Sequence, residues 1–176
     1  SIAGGDEVLI YDTSASALRK MTRTNFVSGI SNTPYFEAYL SANQGISSST
    51  WTKVQFDTEQ FDSDNLYDNS TNYRFTPTTA GKYLCYTNVR GGNDGASTLR
   101  EVNMKFRKNG SDYQTGTSVT TNFSNNNGAN ASVTSEQIID FNGSSDYLEV
   151  FFYINTTTGS PDVGQNSVFG AYKLIT

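Results

Sequence analysis

The chain has 176 residues, enough for one domain with a real core and a short appendage. Charged residues make up 16% and aromatics 13%, while Ser, Thr and Asn fill roughly a third of the positions, the opposite of a disordered profile. The net charge is −5 and no basic cluster exists beyond Arg19-Lys20 and Arg23, which argues against a phosphate-tracking nucleic-acid surface and leaves an uncharged polar surface over an aromatic core.

In the first thirty residues Val8-Leu9-Ile10-Tyr11 is an apolar run that ends at Asp12. The small polar stretch Thr13 to Ala17 turns the chain, and Leu18 to Met21 resumes it. This reads as strand, turn, strand, then a helical turn starting at Thr24. Too few apolar side chains are present to form a core, so the segment needs something to pack on. Ser28 to Asn32 reads as a linker. The opening residues do not read as a signal peptide, and an initial serine fits a trimmed chain or a piece of a longer one.

From Tyr35 onward, period-2 alternation is broken by Gly, Asn, Asp and Ser clusters, the pattern of antiparallel strands with one wet face. Phe36, Ala38 and Leu40 share one face of the first strand, and Trp51 to Phe56 forms another. After Arg74-Phe75-Thr76 and Pro77, Ala80-Gly81 turns the chain into a strand from Lys82 to Val89. Val102, Met104 and Phe106 alternate with Glu101, Asn103, Lys105 and Arg107, and that strand ends at the turn dipeptide Asn109-Gly110. Residues 111–131 are polar and read as one long excursion. Val133 to Phe141, Tyr147 to Ile154 and Val168 to Ile175 complete the strands, with a polar loop over 156–166. No apolar run reaches the length of a membrane helix; the longest, Val150 to Ile154, has strand length. The fold class is therefore all-β, an antiparallel sandwich or jelly roll of about ten strands.

There is no histidine and one cysteine, Cys85. That removes Ser-His-Asp and Cys-His nucleophile systems, His-ligated zinc and any intrachain disulfide, and leaves only carboxylate chemistry. Cys85 lies mid-strand and reads as a buried, inert thiol.

Specific residues then point to a family. Phe36-Glu37-Ala38-Tyr39-Leu40 resembles the opening strand of the C1q domain. Tyr67-Asp68, Arg74-Phe75-Thr76 and Gly81-Lys82-Tyr83 resemble its central signature, and Lys108-Asn109-Gly110 its Lys-Asn-Gly turn. Asp146 to Val150 is similar to its Gly-Asp-x-Val strand, with Ser145 in place of the glycine, and Ser167 to Tyr172 to its closing strand. The resemblance covers about 35–176. Residues Asp6 to Asp12 and Ala17 to Lys20 resemble a segment of bacteriophage tail-fibre and structural proteins. The chain thus divides into a 1–30 attachment segment and a 31–176 C1q/TNF-like jelly-roll head.

The C1q resemblance implies a compact homotrimer about a threefold axis. Phe169 and Ala171 would point inward with Phe36, Ala38 and Leu40, leaving Tyr35, Tyr39, Val168 and Tyr172 on the opposite face. With Tyr73, these are the expected trimer-interface residues. Strand alternation, counted back from the last strand, places loops 156–166, 111–131 and Pro77 to Gly81 at an apex. It places Asn142 to Ser145 and Arg90 to Leu99 at the base. Apical Tyr113, Thr117, Asn125, Asn126, Asn127 and Thr157 offer amides, hydroxyls and aromatic faces suited to a sugar or protein receptor.

Asp62, Asp64 and Asp68, with Asp57 and Glu59, form the one acidic crowd and the only candidate metal ligands; the spacing matches no EF-hand, so the expectation is no cofactor, with calcium as the one candidate. The overall expectation is a non-enzymatic trimeric head of a phage fibre or spike, located on the virion. It would bind a host-surface glycan or protein, contact other virion fibre or capsid proteins through its first thirty residues, and neither bind nucleic acid nor insert into a membrane. The alternatives are a structural capsid-decoration or fibre-cap trimer, a secreted cellular C1q-like lectin or ligand, and a glycan-cleaving enzyme using carboxylates alone.

Overall fold

Tertiary contacts separate the residues up to Asn32 from those between Thr33 and Leu174. The computed structural model describes residues 3, 5–28, 32–93, 98–113, 119–122 and 129–174; most of the expected linker, residues 29–31, falls outside them.

The first unit is a hairpin of β1 (Glu7–Asp12) and β2 (Ala17–Thr22) followed by a single short helix, α1 (Arg23–Ser28). The Asp12 carboxylate closes the hairpin turn by accepting from the Ser14 hydroxyl at 2.6 Å and the Ala15 amide at 3.1 Å. Thr22 Oγ1 accepts from the Asn25 amide at 3.2 Å and caps the helix. Strand, turn, strand and helix follow the order read from the sequence.

The second unit carries β3 (Tyr35–Tyr39), β4 (Gln44–Gly45), β5 (Thr52–Lys53), β6 (Thr58–Asp62), β7 (Tyr67–Asp68), β8 (Arg74–Phe75) and β9 (Gly81–Asn93). It continues with β10 (Leu99–Lys108), β11 (Ser111–Asp112), β12 (Val119–Asn122), β13 (Asn130–Phe141), β14 (Leu148–Thr156), β15 (Pro161–Val163) and β16 (Val168–Lys173). They form two antiparallel sheets. One runs β6-β3-β16-β9, with β13 along the other edge of β9 and β15 then β4 beside the last residues of β9. The other centres on β14, with β10 on one side and β8 and β5 on the other; β11 and β12 pair with β10. This is a jelly-roll sandwich.

Side chains of one parity from each sheet fill the space between them. Phe36, Ala38, Phe169 and Ala171 are fully buried from the first sheet, and Val102, Met104, Phe106, Phe152 and Ile154 from the second. Phe36 stacks on Phe75 at 4.5 Å and Tyr67 at 4.9 Å, and meets Phe169 edge-on at 5.0 Å. Each such ring contributes roughly 1.5–3 kcal/mol by leaving water, and the offset and edge geometries add about 0.5–1.5 kcal/mol per pair. Asn109 and Gly110 both adopt positive φ, 54° and 77°, which a two-residue hairpin turn of matching twist requires.

Two expectations change. Of Trp51 to Phe56 only Thr52 and Lys53 pair in a sheet, although Val54 and Phe56 keep the alternation and are buried. Residues 111–131 are not one excursion, because they contain β11 and β12, with Met104 opposite Val119 and Glu101 opposite Asn122. The missed β12 is an extra crossing of the molecule, so every loop counted back beyond it changes ends. Gly81 pairs with Phe141, and Lys173 with Tyr83. Pro77 to Gly81 therefore lies with Asn142 to Ser145 at the end where the head's chain enters and leaves. The last residues of β9 and the first of β10 lie at the opposite, distal end, where the Thr157 amide donates to the Thr98 carbonyl at 3.1 Å.

Candidate functional site: an aromatic sheet face and a polar distal end

Because β3, β16, β9 and β13 bury alternate residues, the other parity forms one continuous outer face. Cross-strand register places Ile138, Leu84, Tyr172 and Tyr35 in a single row, one residue from each strand. Phe61 of β6 extends it, with its ring edge-on to Tyr35 at 5.7 Å. Ile138 is 58% exposed and Phe61 41%. The next row holds Glu136, Tyr86, Gly170 and Glu37. Tyr86 tilts against Tyr172 at 5.5 Å and donates its hydroxyl to Glu37 Oε2 at 2.6 Å. Burial, and then that hydrogen bond, push the Tyr86 hydroxyl's pKa up, so it stays a donor throughout the physiological range. Beside it Glu37, Tyr39, Gln60, Asn166 and Val168 line a shallow dip of about 190 Å³.

Of the expected interface residues, Tyr35, Tyr39, Val168 and Tyr172 share this face. Tyr73 does not: it sits at φ 50° just before β8, where it lines a different cleft with Leu40, Gln55 and Asp57. Leu84, Tyr86, Phe61, Ile138 and Glu37 were missed. The signal was partial: Leu84 and Tyr86 follow one another on the outward parity of β9, but Lys82, Asn88 and Arg90 flank them and give that face the look of an ordinary wet one.

At the distal end Asn43, Arg90, Asn130 and Asp162 line a cleft of about 210 Å³ around Gly92. Asp162 Oδ2 accepts from Asn43 Nδ2 at 3.0 Å, tying the loop after β3 to β15. Asn93 donates to the Thr158 carbonyl at 2.7 Å, binding two distal connections together. A carboxylate, a guanidinium and several amides make this end a donor and acceptor surface, suited to hydroxyl-rich or polar partners. Thr157 lies at this end and is exposed. Tyr113 does not: its amide donates to the Phe106 carbonyl at 3.0 Å and its side chain packs against the core. Thr117, Asn125, Asn126 and Asn127 lie outside the described residues.

The acidic crowd is committed to its own loops. Asp62 accepts from the Tyr67 and Asp64 amides at 2.8 and 3.2 Å, and Asp64 accepts from the Ser63 hydroxyl at 3.0 Å. Asp68 accepts from the amides of Thr71, Asn72 and Ser70, with the Asn72 side chain at 2.7 Å. Those donors, the Thr71 amide foremost, hold the Asp68 carboxyl well below the usual carboxylate range. The three carboxylates do not converge, and among the described residues no group of three His, Cys, Asp or Glu is placed to hold a metal ion. No helix among them is long and apolar enough to cross a membrane.

No protein-family model matches the chain, and no curated protein matches it significantly. Solved structures do. The globular domain of zebrafish complement 1qA aligns at 12% identity and TM-score 0.52, covering 81% of this chain and 98% of that one. Murine APRIL at pH 5.0 aligns at 13% identity and TM-score 0.52, covering 80% and 98%; its pH 8.5 structure gives 15% identity and 0.50 over 80% and 99%. At such identities the likeness is one of fold, and the head is a C1q/TNF-like jelly roll.

Proposed function

We propose that the chain is a homotrimeric binding head without catalytic activity, mounted on a phage tail fibre or spike, whose distal end attaches to a host-surface glycan or protein. The observation that carries this reading is the row Ile138, Leu84, Tyr172, Tyr35 and Phe61. A water-facing sheet normally alternates apolar-in with polar-out, whereas this one carries an apolar row across its outer face as well. Two sister copies are the natural cover, since closed cyclic symmetry buries one patch on every subunit. The C1q/TNF-like fold, for which the C1q resemblance implies a homotrimer, supports the oligomer, and the resemblance of Asp6 to Asp12 and Ala17 to Lys20 to phage fibre proteins supports the mounting. Three distal ends on one axis turn weak single contacts into avidity.

Mass measurement of the full chain in solution at micromolar concentration tests the assembly: three chains are expected, and a single chain overturns it. A printed glycan array and pull-down from candidate host cells, both with the full chain, test attachment. Capture of neither glycan nor surface protein by a confirmed trimer would leave a structural cap in place of an adhesin.

A further inference from the structure

The hairpin of the first unit carries an apolar cluster on a face that no described residue of its own unit covers. Register places Glu7 opposite Thr22, Leu9 opposite Lys20 and Tyr11 opposite Leu18, so these six side chains share one side. Val8, Ile10, Asp12, Ala17, Arg19 and Met21 share the other. On that second side Ile10 and Met21 are half-buried, and α1 lies close to both strands. On the first side Leu9 is 67% exposed, Tyr11 62% and Leu18 70%.

We propose that this Leu9-Tyr11-Leu18 face is a second self-association surface, covered by the same hairpin from the sister chains of the trimer; the inference rests on the homotrimer proposed above. Two observations select a second copy of this chain as the occupant. The two charges that share the patch's side cancel within the hairpin, Lys20 pairing with Glu7 at 2.7 Å. The rim is therefore neutral: it offers no unmatched charge for a differently charged partner to recognise, and it does not repel an identical face. The second observation is the tether. Only a few residues separate Ser28 from β3, so a trimeric head holds three hairpins at an effective concentration on the order of millimolar. An isolated two-stranded hairpin is at best marginally stable in water, and mutual burial of three apolar faces supplies the layer it lacks.

The test uses full-length Leu9→Cys, with Leu18→Cys as a repeat on the same face and Arg19→Cys as the control on the opposite one. All three positions are exposed, so none endangers folding, and the native Cys85 is fully buried. Under mild oxidation, non-reducing gels of Leu9→Cys and Leu18→Cys are expected to show linked pairs of chains. With one engineered thiol per chain about two thirds of a trimer's chains can be linked. Formation should be at least tenfold faster than in Arg19→Cys. Three chains by mass, with Leu9→Cys and Leu18→Cys linking no faster than the control, would overturn this inference and leave the trimeric head standing. A single chain by mass would remove both.

Discussion

The ring of Tyr86 lies across Gly170, so close that a Cβ added to the glycine would collide with the ring and its hydroxyl oxygen. The missing side chain at 170 lets Tyr86 reach over β16 and donate to Glu37 on β3. Gly170→Ala should push the ring away, break that hydrogen bond and cost about 1–3 kcal/mol, the usual range for overpacking a filled site. Chemical denaturation of the variant checks the loss. Wild-type stability would mean that the Tyr86 ring moves freely on this face.

Tyr172 stands at the centre of the exposed row, between Leu84 and Tyr35. Tyr172→Asp would place a carboxylate in the middle of a three-fold apolar contact, and burying an unpaired charge costs more than such an interface gains. The expected result in solution is a folded single chain. Tyr73→Ala is the contrast, because Tyr73 lies off this face beside Gln55 and Asp57, and its trimer should persist. Dissociation by Tyr73→Ala, or a trimer retained in Tyr172→Asp, would show that another surface holds the copies together.

The core was legible wherever a strand has one dry face. Val102, Met104 and Phe106 alternate with polar neighbours, and all three are fully buried. The turn at Asn109-Gly110 was legible because few sequences tolerate two successive positive φ values. β12 was not: Val119 to Asn122 lies at a sheet edge, pairs with β10 alone, and carries no apolar period. One unseen strand then reversed the ends assigned to Pro77–Gly81 and Arg90–Leu99. The distal cleft was hidden for a related reason. Asn43, Arg90, Asn130 and Asp162 lie far apart in the chain, and only the pairing of β13 and β15 with β9 brings them together.

Cys85 is fully buried between the sheets, and burial alone pushes its thiol up, away from the reactive thiolate. A thiol reagent should leave the native protein unmodified over the time in which it labels denatured protein completely. Labelling at the rate of a free thiol would place Cys85 in solvent and break the alternation of β9. Cys85→Ser should destabilise by about 1–3 kcal/mol, since it buries a hydroxyl among apolar neighbours.

Asp68 and Asp146 set the response to acid. The Thr71 amide and its companions depress the Asp68 carboxyl, while Lys108 and then Asn109 depress that of Asp146, where Lys108 Nζ lies 2.8 Å from Oδ2. A carboxyl whose pKa is lower folded than unfolded adds stability above its unfolded value of about 3.9, and loses it as pH falls towards the folded one. Glu59 acts in the opposite sense, raised by burial and by Asp62, but it stands alone against Asp57, Asp68 and Asp146, all of them lowered. Stability should therefore hold at neutral pH and fall steeply below about pH 4. Asp68→Ala should cost about 0.5–1.5 kcal/mol at pH 7 by removing the acceptor that closes its loop, since the exposed donors it leaves can turn to water. That gap should narrow as acid removes the wild-type advantage. Denaturation midpoints of both proteins between pH 7 and pH 2 check this, and a gap that stays constant to the lowest pH would show that the charge of Asp68 contributes nothing to the fold.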